Sequence, residues 1–313
     1  MRLQGIDFGP VWAASGARGF FGEGYWFHSL YPGLKATLED TTFVAKTVTL
    51  DSNIGNMQLR DDWTPVDPFP DCIKFNLFKG IVLNSVGLSN LGTDAALATG
   101  RWQARTEPSM LSFMPIAKTR DAKLQETDRY VGRLAAALPD FKGPIALQVN
   151  LSCPNTGENL RELEAEAVDI LKILDPLRIP LVPKFNVLTE PRTVLRIAGE
   201  TRIDGVCVSN TIPYGQIPDK IHWAAMFGEI SPLKHLGGGG LSGWPLFQLV
   251  RQWVKEAYGL GLGFPINAGG GIMSATDVHP LFDAGADSIS IATVIMLRPW
   301  RVRSIIRAAQ NYR

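Results

Sequence analysis

The stretch Ile145-Ala-Leu-Gln-Val-Asn150-Leu-Ser-Cys-Pro-Asn155 is a short apolar run that stops at a polar turn. Its length and enclosure suit a buried parallel strand, and Pro154, which has no amide proton to give a ladder, ends it. Leu160–Leu174 follows with apolar residues at helical spacing. Strand, turn, helix is one βα unit. If the unit belongs to a barrel, the turn lies at the carboxyl end of its strand, where barrels gather their chemistry.

Seven further runs of the same kind flank it. They are Val11–Ser15, Phe43–Thr47, Ser112–Ile116, Leu181–Phe185, Gly205–Ser209, Pro265–Ala268 and Ser288–Ala292. Helical periodicity appears between them at Asp128–Leu138, Glu190–Ala198, Pro245–Tyr258, Ala275–Ala284 and Trp300–Ala309. Eight strands alternating with helices predict a (β/α)8 TIM barrel occupying residues 1–313 as one domain; an open doubly wound sheet is the alternative. Two connections are longer than loops need to be. Residues 48–110 contain a further strand-like piece, Ile81-Val-Leu-Asn-Ser85, and residues 211–241 carry Pro213, Pro218, Pro232 and Gly237–Gly240. Both leave from the face that carries Cys153, so they are expected to cap one site.

Composition narrows the class. The chain has 313 residues with 31 basic and 30 acidic side chains, which gives no electrostatic case for nucleic acid. Met1-Arg-Leu-Gln-Gly-Ile-Asp7 lacks the apolar centre of a signal peptide, and no run reaches the ~18 apolar residues of a membrane span. Cys72, Cys153 and Cys207 are odd in number and lack metal-ligand spacing; the four histidines are scattered. A reduced, cytoplasmic, metal-free protein is the expectation.

Several residue types stand where barrel chemistry is expected. Cys153, in a polar turn, suits a nucleophile, a redox centre or a proton acceptor, whereas Cys72 and Cys207 read as small buried hydrophobes. No histidine lies near Cys153 in sequence, which disfavours a thiol–imidazole pair. Lys46 and Lys184 each end an apolar run and need a partner, either a structural carboxylate or an anionic ligand. Asn84, Asn150, Asn155 and Asn210 offer paired donors and acceptors for a planar amide-rich ligand; singly, each reads as a turn residue. Asn267-Ala-Gly-Gly-Gly-Ile272 and the turn at Ala292-Thr293 follow strands seven and eight, the usual phosphate site of such barrels, against the plainer reading of a tight turn. Ser242, in Gly237-Gly-Gly-Gly-Leu-Ser-Gly243, reads equally as a helix cap or a phosphate contact.

Taken in order, Lys46-Thr-Val-Thr-Leu50 with Gly55-Asn56, Asn84-Ser-Val-Gly-Leu-Ser-Asn90, Asn150-Leu-Ser-Cys-Pro-Asn155, Ser209-Asn-Thr211 and Gly240-Leu-Ser-Gly243 resemble the dihydroorotate dehydrogenase family across nearly the whole chain. The resemblance implies an enzyme that binds flavin mononucleotide (FMN) and oxidises dihydroorotate to orotate in pyrimidine synthesis. It implies Cys153 as the base, with Lys46, Asn84, Asn150, Asn155, Asn210, Thr211 and the Gly87-Leu88 backbone around the substrate. It also implies a cofactor site built from Ala14, Ser15, Gly16, Lys46, Asn150, Lys184, Ser209, Gly240, Ser242 and Gly243, with Gly270, Gly271, Ala292 and Thr293 at the phosphate. Members are often homodimers. Cys153 resembles the soluble class, while Thr156 and Leu160-Arg-Glu-Leu163 look more like the quinone-using class. Ala292 in place of glycine, the third glycine of 269–271, Phe185-Asn186 and the Gly19-Phe-Phe-Gly-Glu23 insertion also depart from the pattern. The acceptor therefore stays open among fumarate, NAD through an iron–sulfur flavoprotein subunit, and quinone. Two alternatives stand beside this reading: a flavin enzyme acting on another dihydropyrimidine, and a Schiff-base lyase or aldolase using Lys184.

Overall fold

Eight parallel strands close into a barrel in the computed structural model, which describes residues 1–151 and 160–312. Numbered in chain order they are β1 (Val11–Ala13), β2 (Thr42–Val44), β3 (Ser109–Phe113), β4 (Ile145–Asn150), β5 (Leu181–Phe185), β6 (Val206–Val208), β7 (Ile266–Gly269) and β8 (Ser288–Ile291). Each pairs with its neighbours in sequence, and β8 closes on β1. Closure excludes the open-sheet alternative.

The third strand is a correction. Ser112–Ile116 was the expected run, but the ladder spans Ser109–Phe113. Pro115 has no N–H for a central strand, so the ladder stops before it. The first long helix also begins earlier than Asp128, running from Arg120 to Ala137. Its opening turns are polar and carry no apolar period; the start is marked by Thr119, whose side chain accepts the Ala122 amide at 3.3 Å.

Successive residues of a strand point to opposite faces. In β4, Ile145, Leu147 and Val149 join the large core between barrel and helices, whereas Ala146 joins a small cluster inside the barrel. That inner cluster takes Trp12, Val44, Met110, Val182 and Cys207 from five other strands. The hairpin of Arg2–Leu3 and Ile6–Asp7 supports it from below, with Leu3, Phe8, Met1 and Ile6 packed against it. Each such burial contributes ~1.5–3 kcal/mol. The amino-terminal end of the barrel is therefore sealed by apolar packing.

Above that layer the inward rungs turn polar: Ser112, Gln148, Asn267, Ser288 and Ser290 are all buried. Asn267 organises one side, taking Cys207 Sγ at 3.3 Å and Ser290 Oγ at 2.5 Å on its carbonyl and giving its amide to Ser288 Oγ at 2.8 Å.

The two long excursions meet in a four-stranded antiparallel sheet, in the order Ile212–Pro213, Gly240–Gly243, Ile81–Asn84, Ile73–Asn76. Ser242 pairs with Val82 within this sheet, so the helix-cap reading of Ser242 is withdrawn. The turn at Trp244–Leu246 starts from Gly243 without a side-chain cap. Among the described residues no helix is long and apolar enough to cross a membrane.

Candidate active site

Between the carboxyl ends of the strands and the cap sheet lies a cavity of about 1290 Å³. Ala14, Ser15 and Gly16 enter it from the end of β1, and Lys46 from the end of β2. Asn84, Gly87 and Leu88 come from the first excursion, Asn150 from β4 and Lys184 from β5. Ser209, Asn210 and Thr211 follow β6; Ser242 and Gly243 belong to the cap sheet. Gly270 and Gly271 follow β7, and Ala292 and Thr293 follow β8. Gly240 does not reach the wall. It pairs with Asn84, and a side chain there would collide with Thr211, so it holds the cap rather than lining the site. Cys153, Asn155 and Thr156 lie outside the described residues.

The carboxamides converge. Asn210 Nδ2 donates to Asn150 Oδ1 at 2.6 Å, and the Thr211 amide donates to Asn210 Oδ1 at 3.0 Å. This fixes which edge of each amide faces its neighbour. Asn84 is placed from above by the ladder that ties Ile81–Asn84 to Gly240–Gly243.

Both lysines are held without a carboxylate partner among the described residues, whose salt bridges involve other groups. The structural ion pair offered by the sequence reading is thus not seen there. Lys46 Nζ donates to the Ser89 carbonyl at 2.8 Å and lies 4.6 Å from the centre of the Phe20 ring. Burial brings its pKa down to about 8, opposed by Cys72 and Glu23. Lys184 lies in register with Asn150 on one side and Cys207 on the other, and burial lowers its pKa too. Two cations in a poorly hydrated wall favour an anionic or carbonyl-rich ligand.

The glycine turn after β7 is built for close approach. Gly270 and Gly271 have φ of +121° and +83°, a region costly for other residues. A Cβ on Gly271 would stand 2.7 Å from the Phe247 amide nitrogen, and one on Gly270 would stand 3.0 Å from Ser209 Oγ.

Sequence reasoning missed other wall residues. Gln148, Thr47 and Ser290 line the cavity floor, and Tyr25, Trp26, Phe27 and His28 line its far end. The signal for Gln148 and Ser290 was a polar residue at every second position of otherwise apolar strands. Tyr25 is anchored by its hydroxyl, which donates to the Gly16 carbonyl at 2.7 Å. His28 Nδ1 accepts the Tyr25 amide at 3.3 Å, so the neutral ring carries its proton on Nε2. Burial brings the His28 pKa down to about 4, assisted by Lys35 and Arg18. Trp26 Nε1 donates to the Pro68 carbonyl at 2.9 Å and its ring meets Phe69 edge-on at 4.8 Å, so this end of the cavity is aromatic.

A dihydroorotate dehydrogenase family model matches residues 5–311. The chain belongs to the dihydroorotate dehydrogenase family. That family consists of oxidoreductases, and membership replaces the lyase alternative. One relative, the catalytic subunit of dihydroorotate dehydrogenase B (NAD(+)) from Desulforamulus reducens, is 27% identical over 313 residues, covering 97% of this chain and 89% of its own. A dihydroorotate dehydrogenase (quinone) from Methylibium petroleiphilum is 28% identical over 267 residues, covering 79% and 72%. Among solved structures, a DHODH of Eimeria tenella in complex with ferulenol matches with a TM-score of 0.68 at 20% identity, covering 99% of this chain and 82% of that one. At that identity the likeness bears on the fold, and it agrees with the closed barrel described above.

The wall also suits the flavin that the family employs. Gln148 Oε1 and Ser209 Oγ are buried beside the cavity without a hydrogen-bond partner among the described residues. A polar heteroaromatic ring inside the barrel mouth satisfies such groups, and the glycine turn offers room for a phosphate. The volume exceeds the ~300–1,000 Å³ usual for one small ligand, which leaves space for cofactor and substrate together.

Proposed function

We propose that this chain oxidises dihydroorotate to orotate with bound FMN. The observation that carries the reading is the single cavity onto which Asn84, Asn150, Asn210 and Thr211 open together with Lys46, Lys184 and the Gly270–Gly271 turn. Lys184, Ser209 and the residues after β1 would hold the ring of the cofactor, and Gly270, Gly271, Ala292 and Thr293 its phosphate. The carboxamides and Thr211 would orient the substrate's carboxylate and ring amides, since each side chain supplies both a donor and an acceptor. Lys46 would offset the carboxylate charge.

Cys153, which follows β4 in the sequence, is assigned as the base that takes the proton from carbon 5. When bound, FMN supplies the acceptor for the hydride leaving carbon 6. A thiol of ordinary pKa near ~8.5 requires a lowered value to act at neutral pH. Relatives named as the catalytic subunit of an NAD(+) enzyme favour a partner subunit as the route for the electrons.

The test is the visible spectrum of purified protein before and after anaerobic dihydroorotate. Flavin absorbance that disappears on addition is the expected result. A flavin band that persists would sink the substrate assignment, and colourless protein that takes up no FMN would sink the cofactor assignment.

A further inference from the structure

The turn Gly19-Phe-Phe-Gly-Glu23 after β1 is an insertion relative to the family pattern, and no role given so far accounts for it. Its own carboxylate folds it: Glu23 Oε1 accepts the Phe20 amide and Oε2 the Phe21 amide, each at 2.8 Å. Gly19 has φ of +79°, and a Cβ there would collide with the Glu23 carboxylate, so the turn requires glycine at that point. Phe20 is then fixed on three counts. Glu23 holds its amide, its carbonyl accepts Trp102 Nε1 at 2.7 Å, and its ring meets Trp63 edge to face with centres 4.8 Å apart.

What the turn holds is Lys46. Nζ lies over the Phe20 ring, 4.6 Å from its centre, and the Lys46 amide donates to the Gly19 carbonyl at 3.0 Å. Backbone and side chain are thus tied to the same turn. Nζ also donates to the Ser89 carbonyl at 2.8 Å. Ser89 is pinned in turn by its hydroxyl, which donates to the Val86 carbonyl and accepts the Met57 amide, both at 3.0 Å. The titratable groups acting on the ammonium are Cys72, which precedes the cap strand Ile73–Asn76, and Glu23 from the turn itself. Burial raises the Cys72 thiol, so it stays neutral at neutral pH.

Phe20 is 1% exposed and takes no part in the cavity wall, whereas Lys46 lines it. For packing alone a leucine would serve at position 20. It would leave a poorly hydrated ammonium against hydrocarbon, which is costly. The face of an aromatic ring attracts a cation, most strongly where water is excluded.

We propose that Phe20 is a positioning residue for Lys46: its ring face, fixed by the Glu23 turn, keeps a charged ammonium on the cavity wall for the carboxylate of the substrate. This inference rests on the assignment of Lys46 to that carboxylate given above.

The experiment uses the FMN-loaded protein and two readouts. Trace labelling with acetic anhydride, read by mass spectrometry of the Lys46 peptide across pH 6 to 10, reports the neutral amine with no substrate present. Calorimetric titration with orotate reports the anion site. The wild-type labelling midpoint should lie near pH 8, where burial places the Lys46 pKa. Phe20→Leu should lower that midpoint by roughly half to one pH unit, because the ammonium loses its aromatic partner. At pH 8 the variant should bind orotate roughly 2- to 6-fold more weakly, and at pH 6.5 by less than about 1.5-fold, since both proteins are mostly charged there. Pentafluorophenylalanine at position 20 keeps the ring's shape but reverses its face charge, which guards against a packing defect in the leucine variant; it should lower the midpoint at least as far with a melting temperature near wild type. A midpoint that stays in place in both variants overturns the proposal. So does an orotate affinity that falls equally at pH 6.5 and pH 8, the mark of a structural role. A midpoint that falls while orotate affinity at pH 8 is unchanged would instead refute the assignment of Lys46 to the substrate's carboxylate.

Discussion

Replacing Gly271 with alanine tests whether the turn after β7 owes its shape to a missing side chain. The added Cβ would lie 2.7 Å from the nitrogen, 2.8 Å from the Cβ and 2.9 Å from the Cα of Phe247. Two of these are backbone atoms at the start of the helix Phe247–Leu260, which is packed along its length through Val250, Trp253, Val254 and Ala257. The helix cannot swing aside, so the turn must retreat by roughly 0.7 Å to reach ordinary contact near ~3.5 Å. Overpacking of this kind costs ~1–3 kcal/mol. The left-handed φ of +83° adds ~1–2 kcal/mol for a residue with a Cβ. The control is Gly263→Ala, where φ is +75° and nothing lies within 4 Å of the new atom, so only the backbone cost applies. Urea unfolding followed by tryptophan fluorescence should therefore show Gly271→Ala less stable than Gly263→Ala by ~1–3 kcal/mol. The retreat also carries the Gly270 and Gly271 amides away from the assigned phosphate, so the Gly271 variant should purify with less FMN while the Gly263 variant keeps its full complement. Equal stability and equal flavin content in the two variants would refute the reasoning.

His28 should make the protein acid-sensitive. Its folded pKa of about 4 lies below the ordinary 6.5, so the unfolded chain binds the extra proton first as pH falls. The Tyr25 and Phe27 rings pack edge-on against it; burial opposes the charged form most, and the cations Lys35 and Arg18 add to that. The associated stability is complete above pH 6.5 and is lost toward pH 4, with an upper bound on the order of 3 kcal/mol. His28→Gln should flatten the fall in melting temperature between pH 7.5 and pH 5, and an identical fall in the variant would dismiss the assignment. Cys153→Ala should retain FMN but slow flavin reduction by dihydroorotate ~10²- to 10⁴-fold in anaerobic stopped flow. Equal rates would remove the base role.

The barrel was legible because its evidence is redundant: eight apolar runs, six of them followed by a helical period, leave few other architectures. Boundaries were less secure where local chemistry competed with the pattern. At Pro115 a missing amide proton outweighed an apolar run, and the third strand moved back to Ser109–Phe113. At Gly240–Gly243 the glycines concealed a strand, since a segment almost without side chains shows no alternation; its register is set by Asn84, Leu83, Val82 and Ile81 across the ladder. The lysines, asparagines and glycines of the site were visible because each is a poor choice for ordinary packing at a strand end. Tyr25 and His28 were not, because nothing in their local pattern indicates that the loop after β1 folds back over the cavity; the tie is the hydrogen bond from Tyr25 to the Gly16 carbonyl.

The polar rungs show why stability and chemistry coexist in this barrel. Six strands place Trp12, Val44, Met110, Ala146, Val182 and Cys207 at one level, and that layer with the outer helices carries the packing. Two residues further along, the same strands place Ser112, Gln148 and Lys184 at the next level, where β7 and β8 add Asn267 and Ser290. Because a strand alternates strictly, the switch from apolar to polar occurs on the inward face alone, while Leu147, Val149, Ile289 and Ile291 keep the outward face apolar. A strand buried on both faces has no structural need for this switch, since water reaches neither. Polar residues at alternate positions of such a strand, as in Ile145-Ala-Leu-Gln-Val-Asn150, therefore mark the depth at which a ligand replaces protein as the packing partner. In this chain that depth is Gln148.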